Sequence, residues 1–241
     1  MIGCTCNVCL SDDPKNKRLR CSVLIQSRAG NLLIDTPPDL RTQLLREKIS
    51  LVHAVLFTHH HADHVFGLDD LRIFPKYLEK DLPVYCSRKV EDFIRTAFPY
   101  AFDALSQTYG AGGVPRLEFH TIDTRAIHVL GQTIQPVPLA HGRFDVHGFR
   151  IDGLAYCTDV NRIPDGSWEL LTDLDVLILD ALRFQPHPTH FSLDEALAVI
   201  EQLKPKKAYL THLSCKLVPE EALKRLPEHV QLAYDGMRIA F

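Results

Sequence analysis

Apolar residues fall along this chain in short bursts separated by polar turns, and their spacing changes from one burst to the next. Ser22-Val23-Leu24-Ile25 and Asn31-Leu32-Leu33-Ile34-Asp35 are two such runs with Gly30 in the turn between them, which predicts a β-hairpin. Residues 39–48 predict a helix with Leu40, Leu44 and Leu45 on one face. Residues 52–58 are nearly all apolar, as in a strand covered on both faces. A strand at 83–86 and a helix at 87–98 follow, then a loop containing Gly110, Gly112 and Gly113. Strand-like runs dominate afterwards, at 128–139, 147–151, 154–158 and 175–180.

The clearest helix is 192–203, where Ser192 can cap the first turn while Glu195 reaches back to the cap amide. Leu193, Ala196, Leu197 and Ile200 then share a face. Residues 207–211 read as a strand and 219–226 as a short helix opened by proline. In the closing stretch 231–241, Asp235-Gly236 between alternating apolar residues predicts a hairpin. There is no internal repeat, low-complexity tract or dividing linker. Strands and helices are intermixed, so the expectation is an α/β chain, one domain over 1–241, with two sheets and helices outside.

Composition narrows the class. Apolar residues make up 46% of the 241, enough for a sizeable core, and 27 basic against 30 acidic side chains leave a net charge of −3. That balance gives no electrostatic footprint for nucleic acid. No apolar run approaches the ~20 residues that span a bilayer, and Met1-Ile2-Gly3-Cys4-Thr5-Cys6 has no basic region followed by an apolar stretch, so no signal peptide is expected. A cytoplasmic globule is expected. Seven cysteines, an odd count, argue against a disulfide framework, and three of them crowd into Cys4, Cys6 and Cys9.

Of thirteen histidines, four lie in His59-His60-His61-Ala62-Asp63-His64, directly after the strand 52–58. Residues two apart in extended chain point the same way, so His59 and His61 can hold one ion together. Asp63 and His64 come where the chain should turn and could face a second. The competing reading of these six residues is a solvated histidine loop. Three further apolar runs end in a potential ligand: 137–140 in His141, 154–158 in Asp159, and 208–211 in His212. Singly, each could be a turn or cap residue. Together they supply seven ligands, enough for two ions with open positions.

The motif His59-x-His61-x-Asp63-His64, followed in order by His141, Asp159 and His212, resembles the metallo-β-lactamase superfamily. The resemblance implies an αββα four-layer sandwich. It further implies that His59, His61 and His141 hold one ion, Asp63, His64 and His212 the other, and that Asp159 bridges both. Asp35 matches the early acidic residue that supports the histidine loop without binding metal. The ions implied are two divalent cations, Zn²⁺ or Mn²⁺ with Fe²⁺ also accepted, since imidazole and carboxylate do not choose among them.

Cys4-x-Cys6-x-x-Cys9 offers three thiolates for one tetrahedral ion, and Cys215, three residues after His212, offers a fourth. Redox-active thiols and an iron–sulfur cluster are the competing readings. This arrangement is similar to the PhnP-type phosphodiesterase branch, and implies a structural zinc on Cys4, Cys6, Cys9 and Cys215. The branch commonly uses histidine as the fourth ligand, so Cys215 departs in type. It also begins with a strand and a glycine loop before the first cysteine. Here Cys4 lies three residues from Met1, so either that strand is missing or the true start is upstream. Cys21, Cys86 and Cys157 lie in or beside apolar strands and read as small core residues.

The branch implies a phosphodiesterase for small cyclic phosphate diesters. A hydroxide bridging the ions would attack phosphorus, and His190 would protonate the leaving oxygen. His190 is preferred over His187 on position; Arg143 could pair with a phosphate or be an ordinary surface residue. The residues assigned to catalysis are thus Asp63, Asp159 and His190. The partner is a small-molecule phosphodiester rather than a membrane or nucleic acid, and a homodimer is compatible with the branch. Alternatives from the same superfamily are lactone or thioester hydrolysis, and a tRNA 3′-processing ribonuclease whose arm would have to be the short stretch 99–115. A non-catalytic metal carrier, like relatives in coenzyme pyrroloquinoline quinone assembly, is the alternative of a different class.

Overall fold

The computed structural model describes residues 1–108 and 112–241, so Gly110 of the expected glycine loop, and part of the stretch 99–115, lie outside the described residues. The strands are β1 (Val23–Ser27), β2 (Gly30–Ile34), β3 (Ala54–Leu56), β4 (Leu82–Cys86), β5 (Leu117–Thr121), β6 (Ile127–Val129), β7 (Gln132–His141), β8 (Phe144–Ile151), β9 (Leu154–Cys157), β10 (Val176–Asp180), β11 (Lys207–Thr211) and β12 (Val230–Leu232). The α-helices are α1 (Asn7–Leu10), α2 (Leu40–Arg46), α3 (Ala62–Val65), α4 (Phe74–Leu78), α5 (Arg88–Ala97), α6 (Leu193–Leu203) and α7 (Pro219–Leu223). The class is α/β, with two mixed sheets and flanking helices. By packing, the chain divides into two compact units, Arg20–Thr133 and a second made of Met1–Leu19 with Ile134–Phe241.

In the Arg20–Thr133 unit the sheet order is β1-β2-β3-β4-β5, with β1 and β2 antiparallel and the rest parallel. The expected hairpin is present, with Ser27 opposite Gly30. Gly30 has φ +138, and a Cβ there would sit 2.6 Å from the His53 ring, so the turn admits only glycine without repacking. Leu33, Val55, Phe57 and Val84 form one core with Leu40, Val65, Val90 and Ile94 from the helices. Leu45 departs from expectation and is 62% exposed. Five residues beyond Leu40 the helix has turned ~140° past it, whereas Leu44 at i+4 packs on the core. The pairing Ile34↔Leu56 ends β2 and β3 side by side, so Asp35 arrives next to the start of the histidine segment.

In the second unit the order β12-β11-β10-β9 is parallel, and β9-β8-β7 is antiparallel. All five β10 residues are buried, as expected for the middle of a parallel sheet. The register Leu179↔Cys157 and Asp180↔Thr211 aligns the ends of β9, β10 and β11. Two antiparallel steps give β7 the direction of β9, so His141 leaves at that same edge. The α6 capping box forms: Ser192 N–H donates to Glu195 Oε2 at 2.8 Å, and Glu195 N–H to Ser192 Oγ at 3.4 Å. It seats Leu193, Ala196 and Ile200 against Leu177, Leu179 and Leu210.

Two expectations need correction. The run 128–139 is not one strand, because Leu130 and Gly131 both take positive φ and break it into β6 and β7. The terminal hairpin does not form. Asp235-Gly236 does turn, with Met237 N–H donating to Tyr234 O at 3.1 Å, but no strand follows. β12 pairs in parallel with β11, and the Asp235 carboxylate instead accepts the Leu19 amide at 3.1 Å. Among the described residues, no helix is long and apolar enough to cross a membrane.

Candidate metal centre

Within the Arg20–Thr133 unit the chain stays extended through His61 and then turns into α3. His59 and His61 therefore point to one side, with ring centroids 4.5 Å apart, and α3 swings His64 to 4.3 Å from His59. His64 Nε2 lies 3.6 Å from Asp63 Oδ2.

Asp35 organises this group from beneath. It is fully buried and sits at φ +64, a left-handed conformation costing ~1–3 kcal/mol in a non-glycine residue. Its Oδ1 accepts the Thr58 amide at 2.8 Å, and its Oδ2 accepts the Thr58 hydroxyl at 2.7 Å and His64 Nδ1 at 2.8 Å. Burial pushes the Asp35 carboxyl above the usual carboxylate range, while His64 and Thr58 pull it back. The Thr58 hydroxyl has one proton, given to Asp35, so toward His59 Nδ1 at 2.9 Å it accepts. Both rings thus carry their proton on Nδ1 and keep the Nε2 lone pair for a ligand. This is the arrangement by which metal-binding histidines are oriented.

The second unit builds its group at the aligned strand ends. His141 Nδ1 donates to Thr189 O at 2.6 Å, again reserving Nε2. Asp159 Oδ1 lies 3.3 Å from His212 Nε2, and Oδ2 lies 3.7 Å from His141 Nε2, so each carboxylate oxygen faces a different histidine. Asp159 and His212 sit at φ +51 and +57, strained like Asp35. His190 stacks on His212 with centroids 4.7 Å apart, and its Nε2 is 4.0 Å from Asp159 Oδ2. His190 Nδ1 is fixed at 2.6 Å on Asp180 Oδ2, which also accepts the Val160 amide. Burial raises the Asp180 carboxyl, and the His190 hydrogen bond opposes that rise.

In the same unit Cys4, Cys6, Cys9 and Cys215 gather with all four sulfurs within 4.8 Å of one another. Cys4 and Cys215 are 4.0 Å apart, close to the ~3.8 Å that thiolates take around a tetrahedral ion at ~2.3 Å. Cys6 caps α1. The Cys9 amide, then the neighbouring thiols, hold it down to about 7. Burial, then the neighbouring thiols, push Cys215 up to about 12. The donor chemistry of all three groups fits divalent metal: oriented imidazoles with carboxylates in two of them, and thiols alone in the third.

The structure thus brings the expected ligands together as His59, His61, Asp63 and His64 in one unit, and His141, Asp159 and His212 in the other, with the four cysteines beside the latter. His187 lies behind His190, with centroids 5.2 Å apart and its Nδ1 on Thr189, and Arg143 is exposed in the β7–β8 turn. Sequence reading missed Asp180, Thr58 and the Thr189 carbonyl as supports. Asp180 did carry a signal, a carboxylate ending an otherwise apolar strand ten residues before His190. The other two act through local geometry alone.

Residues 30–213 match the Beta-lactamase superfamily domain. A crystal structure described as a new diphosphatase from the PhnP family is 43% identical, with a TM-score of 0.90 over 98% of this chain and 89% of that one. An octanoyltransferase of Porphyromonas gingivalis is 36% identical over 98% of this chain, which spans 48% of that protein, about half its length. A ribonuclease Z of Microcystis aeruginosa is 22% identical over 90% of this chain and 86% of its own. The chain belongs to the metallo-β-lactamase superfamily, on its PhnP-like branch.

Proposed function

We propose that this protein is a dinuclear metal-dependent hydrolase that cleaves small phosphate diesters or diphosphates. The observation that carries this reading is Asp159, whose two oxygens each face a different imidazole, as a carboxylate shared by two ions must. In the proposed centre His59, His61 and His141 hold one ion, Asp63, His64 and His212 the other, and Asp159 both. Cys4, Cys6, Cys9 and Cys215 hold a structural zinc. When bound, the paired cations supply an acidified water and neutralise charge on the phosphoryl oxygens.

The chain's own residues do the rest. Asp35 and Thr58 fix the tautomers of His64 and His59, and the Thr189 carbonyl fixes that of His141. Asp180 holds the His190 ring through Nδ1–H, and in the doubly protonated ring the second proton, on Nε2, is the one given to the leaving oxygen. General-acid help of this kind contributes about 10²–10⁴ in rate. The 43%-identical diphosphatase supports a phosphoanhydride substrate beside the cyclic diester that the motif implies. The octanoyltransferase name belongs to a protein about twice this length and adds nothing to that choice.

The test is a turnover panel on metal-reconstituted protein. It pairs bis(p-nitrophenyl) phosphate, a ribose cyclic phosphate diester and a nucleoside diphosphate with a lactone and a thioester. Release of p-nitrophenolate from the first, opening of the cyclic diester to a monoester, or release of phosphate from the nucleoside diphosphate supports the reading. Turnover confined to carbonyl substrates refutes it, and inactivity with three ions bound favours a carrier.

A further inference from the structure

The loop that carries His59–His64 leaves α3 on an aromatic residue that the fold does not use for its core. Phe66 is 50% exposed, although its neighbours His64 and Val65 before it and Gly67 after it are held tightly. Thr36 N–H donates to His64 O at 2.7 Å, the Thr36 hydroxyl to Val65 O at 3.1 Å, and Gly67 N–H to Thr36 O at 2.9 Å. At Gly67 a Cβ would meet Pro37 O at 2.0 Å, so the backbone there is pressed against its neighbour. An exposed ring on a clamped backbone is preorganised, and preorganisation lowers the cost of binding whatever it meets.

Phe66 is also backed by other rings. Phe93 lies nearly parallel to it, at 16° and 6.4 Å between centroids, and Phe98 meets it edge-on at 84° and 5.8 Å. Phe93 in turn contacts His60, in the middle of the ligand segment, at 5.2 Å. Phe93 and Phe98 pack on the core, so the shelf is anchored behind and open in front. Position adds two facts. Phe66 is three residues after Asp63, one of the proposed ligands, and closes the short helix that carries it. Lys89, exposed and four residues before Phe93 on α5, adds a cation on that same face.

We propose that Phe66, backed by Phe93 and Phe98, is the stacking platform for the nucleobase of a nucleoside-phosphate substrate. The proposal rests on the phosphate-hydrolase reading above and narrows it: the substrate carries a flat aromatic ring a short reach from the phosphorus. Every base has a π-face, and a base–aromatic stack is sequence-tolerant, so the platform selects a nucleoside rather than one particular base. Lys89 suits the negative charge that such a ligand brings.

The experiment compares adenosine 5′-(α,β-methylene)diphosphate with methylenediphosphonate, the non-hydrolysable stand-ins for the nucleotide and for inorganic diphosphate, by titration calorimetry on the metal-loaded protein, for the wild type and for Phe66→Ala, Phe66→Leu and Phe66→Trp. The nucleotide analogue should bind about tenfold or more tighter than methylenediphosphonate to the wild type and to Phe66→Trp. Phe66→Ala and Phe66→Leu should lose that advantage while methylenediphosphonate binds as before. Equal binding of the two probes to the wild type, or an advantage that survives in Phe66→Ala, overturns the platform and leaves the hydrolase reading standing. If neither probe binds, the phosphate reading falls with it. A dimer that Phe66→Ala converts to monomer, with the probe ratio unchanged, assigns the shelf to contact between chains instead.

Discussion

Replacing Asp35 by Asn isolates what this carboxylate does for the ligand set. Asn tolerates the left-handed φ of +64 and has nearly the same shape, so backbone strain and packing stay constant. What changes is the proton at His64. With the amide oxygen kept toward the Thr58 amide, the NH₂ group faces His64 Nδ1, which must then accept. The ring proton moves to Nε2 and removes the lone pair directed toward Asp63. With the amide flipped, His64 keeps its tautomer but the NH₂ group faces the Thr58 N–H, a buried donor-to-donor contact costing about 1–3 kcal/mol. Either route weakens metal binding by about 10–100-fold, the usual effect of losing such a support. Competition with a chromophoric chelator measures it, run beside thermal unfolding of the metal-free protein to confirm that the fold survives. Asp35→Asn with wild-type metal affinity would refute the tautomer argument.

The other outcomes follow from the same geometry. His190→Ala should lower turnover of substrates with an alkoxide leaving group by about 10²–10⁴, and that of p-nitrophenyl diesters far less, because p-nitrophenolate leaves without a proton; equal losses on both would remove His190 from the acid role. Cys215→Ala should cost one zinc equivalent per chain by elemental analysis and lower the melting temperature, and an unchanged metal count would leave the cysteine cluster without its zinc. Cys86 and Cys157 are buried and pushed up to about 12, so iodoacetamide at pH 8 should alkylate them only after denaturation, as read by mass spectrometry. Their folded pKa exceeds the unfolded value near 9, so the stability they contribute is intact below pH 9 and declines as the pH rises toward 12.

Much of the scaffold could be read from periodicity, because burial on one or both faces leaves a mark in composition. The hairpin over Gly30, the capped helix α6 and the all-apolar β10 all carry their own local signals. Failures occurred where a local signal had two possible uses. Asp235-Gly236 has the chemistry of a hairpin turn, but its carboxylate found the Leu19 amide and the strand before it found β11. Leu130 looked like the middle of a strand, yet it accepts a positive φ beside Gly131 to start a new one.

For the site, the division is sharper. Residue types and order along the chain already named the histidine segment, the three later ligands and the cysteine set, because ligand spacing is a property of sequence. Orientation was not there to be read. That His59 and His64 keep their Nε2 lone pairs depends on Thr58 and Asp35. That Asp159 turns one oxygen to each of two imidazoles depends on strand register and a left-handed φ. That Asp180 steers His190 depends on β10 ending beside β9 and β11. A proton's position on an imidazole is set by its neighbour across space, and only folding chooses that neighbour.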